Sequence, residues 1–420
     1  MRLFSGGFLI SHFFFGTSIY TAILGLFVLI VVVGDFTATA ITVLYIRVLY
    51  PRFFKKRFDE TYTPSCAIIL PCKGIPKDLE QNLAAFLELD YPNYTIIFAL
   101  ESKNDSAYPI ISSLIEHKPN ASIVIAGLAT ECAQKNYNLL AAIRESRNPD
   151  VYVFADADIS PGRHWLKDLI LPLSSQKITV STGFRWLVSK KGSLSDFTHV
   201  YINIFLFVGL TFVNLTGKTF LWGGSMAIRR KDFEDLKVAD VWSHTVVDDN
   251  SLSQILLVNA RKAMVVPGCV TESDDLLPSV SRGIAWFSRQ IMFCKAHQRP
   301  LWKFGVIPTV VATFSVMLWL PLSIIISMST GIGFLTLGGG ASIVFFAGEL
   351  LTVLWYPLMG PMPRFYKFVA AQPLLRVTHI ISPLKTVFAT SLVWSGARYH
   401  LNKKGKVTQV ERLMPEDNPL

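Results

Sequence analysis

Two aspartates separated by one residue, Asp156 and Asp158, close the apolar run VYVFADAD at residues 151–158. Residues 151–155 are too few for a helix, and Pro149 before them with Pro161 and Gly162 after them bounds a short buried strand. Carboxylates one residue apart at a strand end can converge on a hard cation. Mg²⁺ or Mn²⁺ takes a few protein oxygens there and completes its shell with water and a substrate diphosphate. An acidic turn capping the next helix is the competing reading of an isolated D-x-D. A second acidic pair, Asp248 and Asp249, opens a helical pattern through Leu257, where capping and dipole stabilisation are the ordinary roles. Trp222-Gly223-Gly224-Ser225 precedes the run MAIRR, either as a tight turn or as a point of close backbone approach to a ligand.

The elements that must position these residues follow from residue 66 onward. The apolar runs CAIIL, TIIFAL, SIVIAG and VYVFAD alternate with helical patterns at residues 79–89, 107–117 and 136–147. Such alternation predicts a parallel α/β sheet, a nucleotide-binding half of doubly wound type whose ligand lies beyond the carboxyl ends of the strands. Three features fall at those ends: Pro71-Cys72-Lys73-Gly74, the loop 101–106, and Asp156 with Asp158. No P-loop is present, because Gly217-Lys218-Thr219 lacks its partner glycine, and no G-x-G-x-x-G follows a strand. ITVSTG reads as a further strand. Residues 197–222, apolar but broken by Asn203, Asn214, Gly217 and Lys218, read as a segment on the membrane surface or as a buried core helix.

With 420 residues, 51% hydrophobic and 17% charged, the chain is too apolar for an ordinary soluble protein and predicts an integral membrane protein. The net charge of +10 does not argue for nucleic acid, since its basic residues cluster beside apolar runs at 47–57 and 398–406, as suits anionic headgroups. The five cysteines form no C-x-x-C pair, which points away from zinc and disulfides and toward a reducing, cytosol-facing domain. Residues 18–46 read as a first span, and five basic residues at 47–57 place the following domain in the cytoplasm. Residues 278–299 read as an aromatic and basic helix, on the membrane surface or at an active site.

Spans follow at 304–328 and 332–357, then a cytoplasmic loop carrying Arg364, Lys367 and Arg376. An interfacial or re-entrant helix at 379–394 and a basic cytoplasmic tail complete the chain. This divides it into an anchor (1–50), a catalytic domain (51–300), membrane helices (301–397) and a tail (398–420).

The pieces PCKG, QNLAAFLELDYPNY, KNYNLL, FADADI, WGGSMAIRRKDF, VDDNSL, WFSRQ and VWSGARYHL, in this order, resemble the membrane-bound family 2/21-like glycosyltransferases with a GT-A fold, and within them the ceramide glucosyltransferases. The resemblance implies that Asp105 lies near the nucleotide, that Asp156 and Asp158 serve diphosphate and metal, and that Asp249 is the general base. The family's R/Q-x-x-R-W signature aligns with Arg289-Gln290-Ile291-Met292-Phe293 and lacks its terminal Arg-Trp. Trp286, Arg289 and Gln290 stand to take over its diphosphate and acceptor-site contacts, with Trp222, Gly223 and Gly224 as further acceptor-site candidates.

Transfer from a nucleotide sugar needs its leaving diphosphate neutralised, for which Lys73, Lys135 and Arg289 are candidate cations beside a divalent metal ion. The acceptor hydroxyl must lose a proton, which Asp249 could take, and a single attack inverts the anomeric carbon. The expectation is therefore transfer of a hexose, glucose from UDP-glucose foremost, to a ceramide-like membrane lipid. Another lipid acceptor, such as diacylglycerol or a polycyclic lipid, and a processive polysaccharide synthase are the alternatives within enzymes. A transporter or scaffold is the alternative outside them.

Overall fold

The alternation of apolar runs and helical patterns resolves into one seven-stranded sheet whose strands lie in the order Ala121–Ile125, Tyr94–Leu100, Cys66–Pro71, Val151–Ala155, Ser225–Arg229, Val180–Val188, Ala263–Asp274. The structure is a computed structural model describing residues 5–188, 199–200, 202–274, 280–330, 339–360 and 365–413. Arg364, residues 332–338 of the expected span at 332–357, residues 414–420 of the expected tail, residues 197, 198 and 201, and residues 278 and 279 lie outside these.

Strands β1 (Cys66–Pro71), β2 (Tyr94–Leu100), β3 (Ala121–Ile125) and β4 (Val151–Ala155) are parallel, joined by helices Leu79–Leu87, Ala107–Ile115 and Gln134–Glu145. Both faces of β1, β2 and β4 are covered, which is why they read as continuous apolar runs: Ile68, Leu70, Val153 and Phe98 enter one core, and Ile69, Phe154 and Ala99 the other, while β3 at the sheet edge is only partly buried. Beyond β4 the sheet turns antiparallel through β6 (Ser225–Arg229). It ends with β5 (Val180–Val188) and β7 (Ala263–Asp274), which run parallel to each other.

Residues 202–215 form helical turns packed into the core, with Ile202, Phe207 and Leu210 buried. The polar break Asn203 sits inside because it is satisfied there: its amide bonds the Leu187 backbone N–H and C=O and the Tyr356 hydroxyl, each at 2.9 Å.

Among the described residues, two helical stretches are long and apolar enough to cross a bilayer, Gly25–Arg57 and Gly340–Leu358. Helix Ile307–Thr330 lies between them in sequence. The loop expected around Lys367 and Arg376 is instead part of helix Phe365–Val387, because Arg376 is no marker of an exposed loop. It is buried, its guanidinium 4.9 Å over the Phe345 ring.

The helix expected at 379–394 stops at Val387, and a three-stranded antiparallel sheet follows: β8 (Ser391–Trp394), β9 (Ala397–Leu401) and β10 (Val407–Arg412). The residues read as a basic tail are two of its strands. Ser395 and Gly396 form the β8–β9 turn with φ of 51° and 76°, the double left-handed conformation that two-residue hairpins require. Leu392, Ala397 and Tyr399 pack this sheet on Ala133, Val246, Val247, Met292 and Phe293 of the catalytic domain.

Candidate active site

Asp156 and Asp158 stand just beyond the carboxyl end of β4, where a doubly wound sheet presents its ligand site. Lys135, one residue into helix Gln134–Glu145, places its ammonium 2.8 Å from Asp156 Oδ1 and 3.2 Å from Asp248 Oδ2, its side chain only 15% exposed. Burial would lower this ammonium, but the carboxylates of Asp156 and Asp248 outweigh it and hold the group above its ordinary value. Arg185, in the middle of β5, pairs with Asp158 Oδ2. Each aspartate thus has one oxygen on a protein cation.

The other oxygens are the ones open to a metal ion. Asp158 Oδ1 is buried without a hydrogen-bond partner. A Cβ on Gly224 would stand 2.8 Å from Asp156 Oδ2, so glycine keeps the approach to that oxygen clear. Burial raises the Asp158 carboxyl above its usual range, Arg185 opposing and Asp156 adding to the rise. A half-buried carboxyl with an orphaned oxygen suits a divalent cation, so the residues fit. The described residues contain no group of three His, Cys, Asp or Glu side chains placed to hold a metal, so a cation here would draw its other ligands from substrate and water.

The Trp222-Gly223-Gly224 turn is a close-approach device. A Cβ on Gly223 would collide with the Asp248 carboxylate, and one on Gly224 with the Trp222 ring. The Gly223 N–H donates to Asp249 Oδ2 at 2.9 Å, while Asp249 Oδ1 accepts from the backbone N–H and side-chain amide of Asn250. Asp248 and Asp249 open helix Asp248–Val258 and both line the cavity, but differ in setting: Asp248 is buried against Lys135, whereas Asp249 is half-buried. Burial pushes the Asp249 carboxyl up to about 6, with Asp248 adding to the rise and Lys135 opposing it.

These groups line one end of a cavity of about 450 Å³. Arg289 and Gln290, from helix Val280–His297, also line it. Arg289 has no carboxylate partner among the described residues. Its guanidinium lies 5.9 Å over the Trp394 ring, and burial, with Arg185 nearby, lowers it to about 10, so it remains charged at neutral pH. Lys73 reaches Glu101 at 3.3 Å and the Ser395 carbonyl at 3.0 Å. Part of the lining is apolar: Leu187, Ile202, Leu206 and Trp286 line the cavity and belong to a cluster that includes Val306 and Val310 at the head of helix Ile307–Thr330.

The profile of glycosyl transferase family 21 matches residues 26–407. The chain belongs to glycosyl transferase family 21. Among the relatives of this family 21 enzyme are ceramide glucosyltransferase 1 of Caenorhabditis elegans, 27% identical over 33% of this chain and 30% of the relative, and ceramide glucosyltransferase 3 of the same organism, 24% identical over 45% and 42%. The match thus spans less than half the length of either relative. Among solved structures, it is similar to a mannosyltransferase from Pyrobaculum calidifontis in complex with GDP-Man and Mn²⁺. The TM-score is 0.48 at 16% identity, covering 87% of this chain and 99% of that one. It is also similar to glucosyl-3-phosphoglycerate synthase from Mycobacterium tuberculosis in complex with Mn²⁺, UDP-glucose and glycerol 3-phosphate, with TM-score 0.34 at 14% identity, covering 56% and 82%.

Of the residues singled out in the sequence, Lys73, Lys135, Asp156, Asp158, Trp222, Gly223, Asp249, Trp286, Arg289 and Gln290 come together around the cavity. Asp105 and Gly224 are not among its lining residues. Asp105 Oδ1 accepts from the N–H groups of Gly74 and Ala107, both at 2.9 Å, and so ties the loop after β1 to the one after β2. Sequence reading missed Arg185, Gln134 and the Trp394-Ser395 turn. Arg185 had a signal, since a cation inside the apolar strand VSTGFRWLV must find a carboxylate when buried.

Proposed function

We propose that this family 21 enzyme is an inverting glycosyltransferase of GT-A type that moves a hexose, glucose from UDP-glucose foremost, onto the hydroxyl of a ceramide-like membrane lipid. The observation that carries the reading is the two-ended cavity. Its polar lining gathers Asp156, Asp158, Lys135, Arg289 and Asp249, and its apolar lining, with Leu187, Ile202 and Trp286, belongs to the cluster of Val306 and Val310. A diphosphate belongs at the first and an acyl chain or long-chain base at the second, which puts the lipid hydroxyl and the anomeric carbon between them.

The chain's own residues account for the steps as follows. Arg289, which has no carboxylate to satisfy among the described residues, receives the negative charge of the diphosphate, and Lys73 approaches from the β1 side. Asp249, fixed by Gly223 and Asn250, accepts the proton of the attacking lipid hydroxyl. A carboxyl raised to about 6 suits this task, being unprotonated at neutral pH yet more basic than an ordinary aspartate. The displaced nucleoside diphosphate leaves on the opposite side of the sugar, which inverts the anomeric configuration in one step. Asp156 and Asp158 would hold a divalent cation, Mg²⁺ or Mn²⁺, which when bound supplies Lewis-acid neutralisation of the leaving diphosphate. The basic residues Arg47, Arg52, Lys55, Lys56 and Arg57, at the end of the first long helix, support a multi-pass integral membrane enzyme with its catalytic domain on the cytoplasmic face, with no role for nucleic acid.

The test is direct: purified full chain in lipid nanodiscs is given UDP-glucose, Mn²⁺ and either ceramide, diacylglycerol or a sterol, and products are read by mass spectrometry. A monohexosylceramide is the expected product. Transfer to none of these lipids, with UDP-glucose consumed only when a water-soluble acceptor is present, would overturn the reading.

A further inference from the structure

The C-terminal sheet returns to the catalytic domain after the last long helix and touches the loops that carry the polar end of the cavity. At its tip, Trp394 and Ser395 line the cavity itself, Trp394 facing Arg289 and the Ser395 carbonyl accepting from Lys73. At its far edge, Arg412 of β10 donates through Nη2 to Gln134 Oε1 at 2.7 Å and to the Ala129 carbonyl at 3.1 Å, while its Nη1 lies 3.6 Å from Glu101 Oε2.

Gln134 is the hub that makes this edge matter. Its side-chain amide is fully engaged: Oε1 accepts from the Ala129 N–H and from Arg412, and Nε2 donates to the Gly127 carbonyl and to Asn138 Oδ1. Asn138 in turn donates to the Ala99 carbonyl at the end of β2. Gln134 is buried, lines the cavity and immediately precedes Lys135, the cation shared by Asp156 and Asp248. On the other side, Glu101 Oε2 lies near both Arg412 and Lys73, so one guanidinium bears on the loops after β1, β2 and β3 together. Those strand ends are where a nucleotide sits on a doubly wound sheet.

We propose that Arg412 is a positioning residue for donor binding: through Gln134 and Glu101 it fixes the nucleotide end of the cavity, and the C-terminal sheet is thereby a wall of the donor site. This rests on reading the polar end as a nucleotide-sugar site. The arrangement works because a planar guanidinium can hold two acceptors in fixed directions at once, which a lysine ammonium does not reproduce.

The experiment compares wild type, Arg412→Ala, Arg412→Lys, Gln134→Ala and the double variant Gln134→Ala/Arg412→Ala as full chains. It measures UDP affinity by titration with Mn²⁺ present, KM for UDP-glucose, KM for the lipid acceptor, kcat and melting temperature. Arg412→Ala should weaken UDP binding and raise the donor KM about tenfold, with acceptor KM unchanged and kcat at saturating donor falling less than threefold. Arg412→Lys should recover part of the loss, and the double variant should be no weaker than the worse single one, since both act through one contact. If Arg412→Ala does not fold, Arg412→Lys decides instead: a raised donor KM supports the positioning role and an unchanged one removes it. Unchanged UDP affinity in folded Arg412 variants, with only melting temperature or kcat affected, would overturn the proposal. Asp156→Ala separates this from the underlying reading. If it abolishes UDP binding while the Arg412 variants bind normally, only the positioning role fails; if it too binds UDP normally, the donor site itself is misassigned.

Discussion

The Lys135 ammonium lies 3.2 Å from the Asp248 carboxylate and thereby joins the helix that follows β3 to the helix start that presents Asp249. Asp248 is 1% exposed, so its charge depends on this partner. Lys135→Met should leave Asp248 and Asp156 facing each other without a cation. The variant should lose about 3 kcal/mol of stability, read as a lower denaturation midpoint. A midpoint equal to wild type would show that Lys135 is not the compensating charge.

The Trp222-Gly223-Gly224 turn predicts a steric effect that no charge change would mimic. In Gly224→Ala the added methyl meets the Trp222 ring and stands 2.8 Å from Asp156 Oδ2. Donor affinity should drop about fivefold or more, as overpacking at one carboxylate costs on the order of 1–3 kcal/mol, while the fold is retained. A UDP titration on the purified variant measures this, and normal affinity would mean the turn has no part in the site.

Much of this site was legible in the chain and some was not, for identifiable reasons. Strands β1, β2 and β4 were plain because their two covered faces write continuous apolar runs; Asp156 and Asp158 stood out by their place at a strand end, whereas Asp249 stood out only through the family resemblance, since its place at a helix start reads as capping. The Lys135–Asp248 pair spans elements over a hundred residues apart, and nothing local in either stretch announces it. The C-terminal sheet was misread because the basic residues from Arg398 to Lys406 suggested a solvated tail. The Ser395-Gly396 pair between the short runs SLVW and ARYHL was in fact a hairpin signal. Arg376 misled in the same way, a charge taken for a loop where the helix buries it against Phe345.

Metal dependence follows from the orphaned Asp158 Oδ1 and the clear approach to Asp156 Oδ2. Chelation with EDTA should abolish transfer, with Mn²⁺ or Mg²⁺ restoring it, and Asp158→Asn should raise the Mn²⁺ concentration needed for half-maximal UDP binding. Full activity in metal-free, chelator-treated protein would remove the cation from the account.

The apolar end predicts a split in kinetic constants. Trp286 is 8% exposed and packs with Leu187 and Ile202 at the cavity wall. Trp286→Ala should raise the KM for the lipid acceptor about tenfold or more while leaving UDP affinity unchanged, because the loss falls on a hydrophobic contact of the acceptor alone. An effect on UDP binding instead would place Trp286 at the donor end.

The central claim is that Asp249 takes the proton of the acceptor hydroxyl. Its carboxyl is raised from 3.8 to about 6, so it is protonated and unable to act below that value: kcat/KM of the wild-type enzyme should fall about tenfold per pH unit beneath pH 6. The same shift has a stability sign. Because the folded state binds this proton more tightly than the unfolded one, the contribution is present below about pH 4 and lost as pH rises through 6, and Asp249→Asn should flatten that dependence. The decisive measurement is single-turnover transfer by Asp249→Asn with saturating UDP-glucose and lipid, beside a UDP titration on the same preparation. Asparagine preserves the shape and a side-chain oxygen for the Gly223 N–H but cannot hold the proton. Turnover should therefore fall by about two orders of magnitude or more with UDP affinity unchanged. Transfer within about threefold of wild type would contradict the account and assign the base elsewhere.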